Sequence, residues 1–266
     1  MLTIVHMSTP AIAFDHVTKD FGDGRIRAVD DVSLRIAEGE FLAIVGASGS
    51  GKTTLLRMSN RLLDPDAGTI AIHGENTQTA DPIALRRSIG YVFQSAALFP
   101  HMSVAQNIGI TPRLLNHPAA NIAERVDELM DMVQLDRAQY RDRMPGDLSG
   151  GQRQRVGLAR ALAANPKIVL MDEPFGALDP LTRDALGTDY KSLHKKLGLT
   201  TVMITHDMAE ALLLADRVAV MHSGKIVARG NAAELERSGD SYVRDLLRTP
   251  RRHAEQLRCL LSGTKP

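Results

Sequence analysis

Residues Gly46-Ala47-Ser48-Gly49-Ser50-Gly51-Lys52-Thr53 carry the pattern G-x-x-x-x-G-K-[ST], between an apolar run at 41–45 and a helical stretch at 54–60. Glycines at these positions let the backbone wrap closely enough for its N–H groups to meet phosphate oxygens. The positive N-terminal end of the following helix faces the same anion. Lys52 is placed to bridge β- and γ-phosphates and Thr53 to ligate Mg²⁺. Gly46, Ser48, Gly49, Ser50, Gly51 and Thr54 complete the expected cradle. Such a loop points to nucleotide binding in general, because kinases, GTPases, DNA motors and transport ATPases all use it.

Three further groups stand at the ends of apolar runs. Residues 168–171 deliver Asp172 and Glu173, the first suited to a metal shell and the second to polarising an attacking water. Alone, an Asp-Glu-Pro run after a strand reads as a solvated turn. His206 follows the run 201–205 and precedes Asp207, an expected N-cap of a helix over 208–215. A lone histidine beside a cap is ordinarily surface. At a strand end it can also meet a γ-phosphate and a water. Gln94 ends the run 89–93 and can sense Mg²⁺ and water through its amide. The expected catalytic set is Glu173, His206, Gln94 and Lys52, and the expected metal set is Thr53, Gln94 and Asp172.

Groups gathered at strand C-terminal ends call for an open α/β sheet, where ligands bind. Short apolar runs alternating with amphipathic helical segments give that fold class, with a mainly parallel core sheet. Residues 11–14 and 32–36, joined around Gly22 to Gly24, read as a smaller antiparallel flank. From about 95 to 165 helical patterns replace strands, including 122–135 with Ile122, Val126, Leu129 and Val133 at helical spacing. The expected organisation is one domain over 11–247, carrying this helical insertion, and a short tail over 248–266.

The bulk composition is that of an ordinary soluble chain of 266 residues: 44% hydrophobic, 24% charged, net charge +1. That balance argues for no particular partner, and no basic tract for nucleic acid stands out beyond a modest arginine cluster. The arginines at 248, 251, 252 and 258 read as a solvated helix face. The single cysteine, Cys259, cannot pair internally, and no Cys/His spacing matches a zinc site. Residues 1–10 lack the features of a secretory leader. No apolar run approaches the ~20 residues of a membrane-crossing helix, so any membrane role is expected to come through a partner.

Leu148-Ser149-Gly150-Gly151-Gln152 opens another helix N-terminus, a second candidate anion site built like the first but without its lysine. Placed after the phosphate loop and directly before the Asp-Glu strand, it makes residues 11–247 resemble the ATP-binding cassette of ABC transporters, with every element in family order. The resemblance implies a P-loop NTPase fold that binds ATP and Mg²⁺. It gives Ser149, Gly150, Gly151 and Gln152 to the signature, Ala177-Leu178-Asp179 to the D-loop, Gln94 to the Q-loop and His206 to the switch histidine. Phe21 is similar in position to the aromatic that stacks on adenine, and would otherwise cover the flank sheet. The family implies a head-to-tail pair of cassettes, from two copies or from a similar partner, each completing the other's site.

Among ABC proteins, the approach Arg143-Met144-Pro145-Gly146-Asp147 looks like the importer form. A soluble repair or translation factor would show a second cassette, sustained heptads or a basic tract. Asn60-Arg61-Leu62, residues 98–108 and residues 173–183 are similar to importers of glycine betaine, choline, carnitine and proline. Cassettes for taurine, nitrate and amino acids share much of the 173–179 pattern. The implied partners are integral membrane permease subunits and, through them, an extracytoplasmic solute-binding protein. The implied place is peripheral, on the cytoplasmic face of the inner membrane. Larger members append a regulatory domain pair after the cassette; the nineteen positions past Leu247 depart from that pattern and leave regulation through such a tail unassigned.

Overall fold

Every residue of the strand Phe41–Val45 is buried, so both its faces need cover. The computed structural model describes residues 9–262 and supplies that cover with a second sheet on one side and helices on the other.

The elements run β1 (Ile12–Phe21), β2 (Ile26–Ile36), β3 (Phe41–Val45), α1 (Lys52–Ser59), β4 (Ala67–Ile72), β5 (Glu75–Asn76), α2 (Pro82–Ser88) and β6 (Ile89–Val92). Helices α3 (Val104–Ile108), α4 (Ile110–Leu114), α5 (Ala119–Met132), α6 (Arg137–Tyr140) and α7 (Gly150–Leu162) come next. The chain then runs β7 (Ile168–Asp172), α8 (Pro180–Leu197), β8 (Thr200–Thr205), α9 (Met208–Leu214), β9 (Arg217–His222), β10 (Lys225–Gly230), α10 (Ala232–Glu236) and α11 (Ser241–Ser262).

The larger sheet has the order β10-β9-β3-β8-β7-β6. Strands β9, β3, β8, β7 and β6 are parallel, and β10 returns antiparallel to β9. Alternation along the strands divides the core. Leu42, Ile44, Leu170, Val202 and Ile204 face α1 and the smaller sheet, whereas Phe41, Ala43, Val45, Val169, Met171 and Met203 face the helices. In register, Val45 pairs with Thr205, Asp172 with Ile204 and Val92 with Met171. The loops that leave the C-terminal ends of β3, β6, β7 and β8 therefore emerge together at one edge of the sheet.

The smaller sheet is antiparallel with the order β2-β1-β4-β5. The sequence points to two of these strands. Strand β4 was not legible because it opens on Ala67-Gly68 and its pairing with β1 shifts register between Asp15 and Thr18, which breaks the alternation of a half-buried strand. Helices α3 to α7 lie between β6 and β7, where a helical insertion is expected. Helix α11 runs unbroken past residue 247: Val243 and Leu247 are buried, while Arg248, Arg251, Arg252 and Arg258 are exposed. Residues 1–8 of the N-terminal stretch and 263–266 of the tail lie outside the described residues. No helix among the described residues is long and apolar enough to cross a membrane.

Candidate functional site

The glycine loop leaves the end of β3 and turns into α1. Gly51 caps that helix with φ 101°, a left-handed backbone that side chains disfavour, and no side chain makes a cap hydrogen bond there. A Cβ on Gly46 would stand 2.1 Å from the Met221 carbonyl oxygen, so this turn admits only glycine. Ser48 and Gly49 are exposed at the loop tip, Ser50 is buried, and Thr53 and Thr54 are half-buried at the helix start. Lys52 is buried, and its Nζ donates to the carbonyl oxygens of Gly46 (2.8 Å) and Ala47 (2.9 Å) and to Ser50 Oγ (3.3 Å). Burial pushes its ammonium down from the ordinary lysine value, with Glu173 and Asp172 opposing.

Thr53 Oγ1 donates to Asp172 Oδ1 at 3.1 Å, joining the loop to the end of β7. Burial pushes the Asp172 carboxyl up; Thr53, Arg57 and Lys52 act against that, and Glu173 adds to it. Tyr91, one strand over on β6, has its phenol pushed up to about 12, mainly by burial and then by Asp172. Neither Tyr91 nor Arg57 is marked by any motif; Tyr91 could have been found only by placing β6 beside β7.

Glu173 is held at φ 46°, left-handed for a residue that precedes a proline. Such a conformation costs about 1–3 kcal/mol and persists where surroundings enforce it. Here its N–H donates to the Ile204 carbonyl at 3.0 Å, and its own carbonyl accepts from Gly176 N–H at 3.3 Å. The result aims the side chain between two neighbouring strand ends. Glu173 Oε2 accepts from Gln94 Nε2 at 2.9 Å and lies 3.4 Å from His206 Nδ1. Asp207 caps α9 as expected, accepting from the N–H groups of Ala209 and Glu210.

The loop after Gln94 rests on α7. Ala96 and Ala97 both adopt left-handed backbone, and their carbonyls accept from the Arg160 guanidinium at 2.6 and 2.8 Å. Gln154 Nε2 donates to the Phe93 carbonyl at 3.2 Å. Arg160 and Gln154 were missed from sequence because side chains that grip a remote loop by its backbone leave no local pattern.

Residues 149–152 stand apart from this cluster. Ser149 caps α7 in a capping box, its Oγ accepting from Gln152 N–H at 3.3 Å while Gln152 Oε1 accepts from Ser149 N–H at 2.8 Å. With Gly150 and Gly151 they line a separate surface hollow shared with Leu178, Asp179 and Thr182. The chain thus brings together Lys52, Thr53, Asp172, Glu173, Gln94 and His206, and leaves residues 149–152 on a separate hollow. Phe21 ends β1 and is 40% exposed, with Lys19 Nζ 5.8 Å from its ring centroid.

Residues 29–176 match the family described as ABC transporter. The choline transport ATP-binding protein OpuBA of Bacillus subtilis is 48% identical over 237 residues, covering 89% of this chain and 62% of OpuBA. The chain thus spans about three fifths of that relative's length. The glycine betaine uptake system ATP-binding protein YehX of Escherichia coli is 49% identical over 234 residues, covering 88% of this chain and 75% of YehX. Among solved structures, the dimeric post-hydrolysis state of the ATP-binding cassette MJ0796 bound to ADP and Pi superposes with a TM-score of 0.75 at 34% identity, covering 83% of this chain and 98% of that one. With its fold, its glycine loop and its sequence in agreement, the chain belongs to the ABC transporter family.

Proposed function

We propose that this chain is the ATP-binding and ATP-hydrolysing subunit of an importer that energises uptake of an osmoprotectant such as glycine betaine, choline, carnitine or proline. The observation that carries the catalytic reading is the meeting of Gln94, Glu173 and His206 at one oxygen, Glu173 Oε2, beside the loop of Lys52 and Thr53. The names of OpuBA and YehX carry the solute class.

In this reading, phosphate oxygens replace the loop carbonyls and Ser50 Oγ as acceptors for the Lys52 ammonium, and the helix start of α1 contributes its N–H groups. Glu173 accepts the proton of an attacking water, and the nitrogens of Gln94 and His206 hold that water and the developing charge. Phe21, exposed at the strand end, offers its ring to the adenine. Thr53 Oγ1 and Asp172 Oδ1 fit Mg²⁺: both are hard oxygen donors, and a carboxylate raised by burial gains from a cation. Among the described residues no group of three or more His, Cys, Asp or Glu could hold a metal, so the Gln94 amide oxygen, phosphates and water would fill the remaining positions. Mg²⁺ there would neutralise phosphate charge.

The separation of residues 149–152 from the loop fits a site completed by a second cassette, a copy of this chain or a similar one. We assign the cassette to residues 11–247 and the tail to 248–266. The groove between β6 and the helical insertion, lined by Phe93, Phe99, Ile110 and Leu114, is assigned to membrane permease subunits, which receive solute from an extracytoplasmic binding protein. The chain would then sit on the cytoplasmic face of the membrane. Uptake of labelled glycine betaine and choline at raised osmolarity tests this reading, comparing cells carrying the wild-type gene with cells carrying Glu173→Gln. Selective loss of uptake is expected; unchanged uptake with a catalytically dead protein present would remove the solute assignment.

A further inference from the structure

The peptide unit joining Gly46 to Ala47 is gripped at both ends. Its carbonyl accepts from Lys52 Nζ at 2.8 Å. Its N–H, on Ala47, donates to the hydroxyl oxygen of Tyr242 at 2.8 Å, across 195 positions of sequence. Because a peptide unit is planar and rigid, the direction of the N–H sets the direction of the carbonyl. The Tyr242 ring is itself fixed: it lies on His222, with ring centroids 4.1 Å apart and planes inclined at 38°. His222 ends β9 and directly succeeds Met221, whose carbonyl stands where a Cβ on Gly46 would be. Farther along the loop, the Ser50 carbonyl accepts from Gly224 N–H at 3.1 Å. The phosphate loop is therefore braced by the β9–β10 hairpin and by the first turn of α11.

Ala47 is exposed, so without Tyr242 its N–H would bond to water and the peptide unit would be held at its carbonyl alone. When the Lys52 ammonium leaves the Gly46 carbonyl for phosphate, the Tyr242 bond is the hold that remains on this unit. Tyr242 sits at the anchored end of α11, next to buried Val243, while the half of the helix beyond residue 247 is largely exposed. We propose that Tyr242 is a positioning residue of the phosphate loop, through which nucleotide binding and the seating of α11 depend on one another. This rests on the proposed nucleotide site. Coupling of this kind is reciprocal: whatever dislodges the first turn of α11 weakens nucleotide binding, and bound nucleotide steadies that turn.

Tyr242→Phe tests the proposal, since it keeps the ring against His222 and removes only the acceptor. ATP binding by titration calorimetry is expected to weaken by about three- to tenfold, the worth of one neutral hydrogen bond. KM for ATP should rise in the same ratio with kcat unchanged, because the lost contact lies away from the reacting atoms. Hydrogen exchange supplies the reciprocal reading: ATP should slow exchange in the first turns of α11 in the wild-type chain and not in the variant. Equal affinity and equal ATP-dependent protection in the two proteins would overturn the proposal. So would a lowered melting temperature with unchanged affinity, which would make Tyr242 merely structural. Failure of the wild-type chain to bind ATP would overturn the nucleotide site as well.

Discussion

The Gln94 amide donates to Glu173 Oε2 at 2.9 Å across 79 positions of sequence, and the loop that carries Gln94 is held by Arg160 of α7. The carboxylate at the centre of the site is thus tied, through one amide and two loop carbonyls, to the helical insertion. Under the proposed function, a shift of α7 relative to β7 would move Gln94 against Glu173 and so link the groove at that insertion to the chemistry.

Arg160→Lys removes the forked grip on the Ala96 and Ala97 carbonyls and keeps the charge. ATP affinity should stay within about twofold, because Arg160 touches no residue of the phosphate loop, while kcat falls by about 10- to 100-fold through misplacement of Gln94. Steady-state phosphate release beside calorimetric binding checks the split. Equal losses in both would place Arg160 in general stability.

Lys52→Ala removes a charge-assisted hydrogen-bond donor to phosphate, worth about 1.5–3 kcal/mol, so ATP binding should weaken by about 10- to 100-fold. The nucleotide-free protein should lose little stability, because the burial that pushes the Lys52 ammonium down offsets its hydrogen bonds to the loop. Calorimetric titration and thermal unfolding decide it; a large loss of stability would mean that the loop carbonyls, not phosphate, are the partners Lys52 serves.

Asp172→Asn separates metal binding from folding. The folded state holds the Asp172 proton more tightly than the unfolded chain does, burial being the main cause. The stability this confers is full below the ordinary carboxylate value and is lost as pH rises through the raised one. At neutral pH without Mg²⁺ the variant should therefore melt higher than the wild type, and the gap should close as pH falls. Its ATPase should no longer respond to Mg²⁺. A variant that melts lower at neutral pH would contradict burial as the main influence on this carboxyl.

Ser149 is predicted to act in two ways that two substitutions separate. Ser149→Ala deletes the side-chain half of the capping box and should destabilise the fold by about 1 kcal/mol. Ser149→Arg should spare ATP binding to the monomer and block the ATP-induced dimer, read by size-exclusion with light scattering. A normal dimer from Ser149→Arg would contradict a site completed by a second cassette.

The features legible in the sequence were contiguous ones. The glycine loop, the Asp-Glu pair and the Ser149 cap each place their chemistry within a few residues, and the buried parallel strands are continuous apolar runs. Those that escaped are set by contacts between distant segments: β4 with its shifted register, Tyr91 beside Asp172, Arg160 under the Gln94 loop, and Tyr242 on Ala47. The left-handed backbone at Glu173 was hidden for another reason, since glutamate before proline signals the opposite conformation; the bond to Ile204 from the neighbouring strand imposes it.

The most direct test of Glu173 as the general base is phosphate release from Mg·ATP by the purified chain, wild type against Glu173→Gln, with ATP binding measured on the same samples. Binding should be unchanged, hydrolysis should slow by about 10²- to 10⁴-fold as for loss of a general base, and an ATP-bound dimer should accumulate. Hydrolysis at the wild-type rate would remove Glu173 from the chemistry and contradict the catalytic role proposed for it.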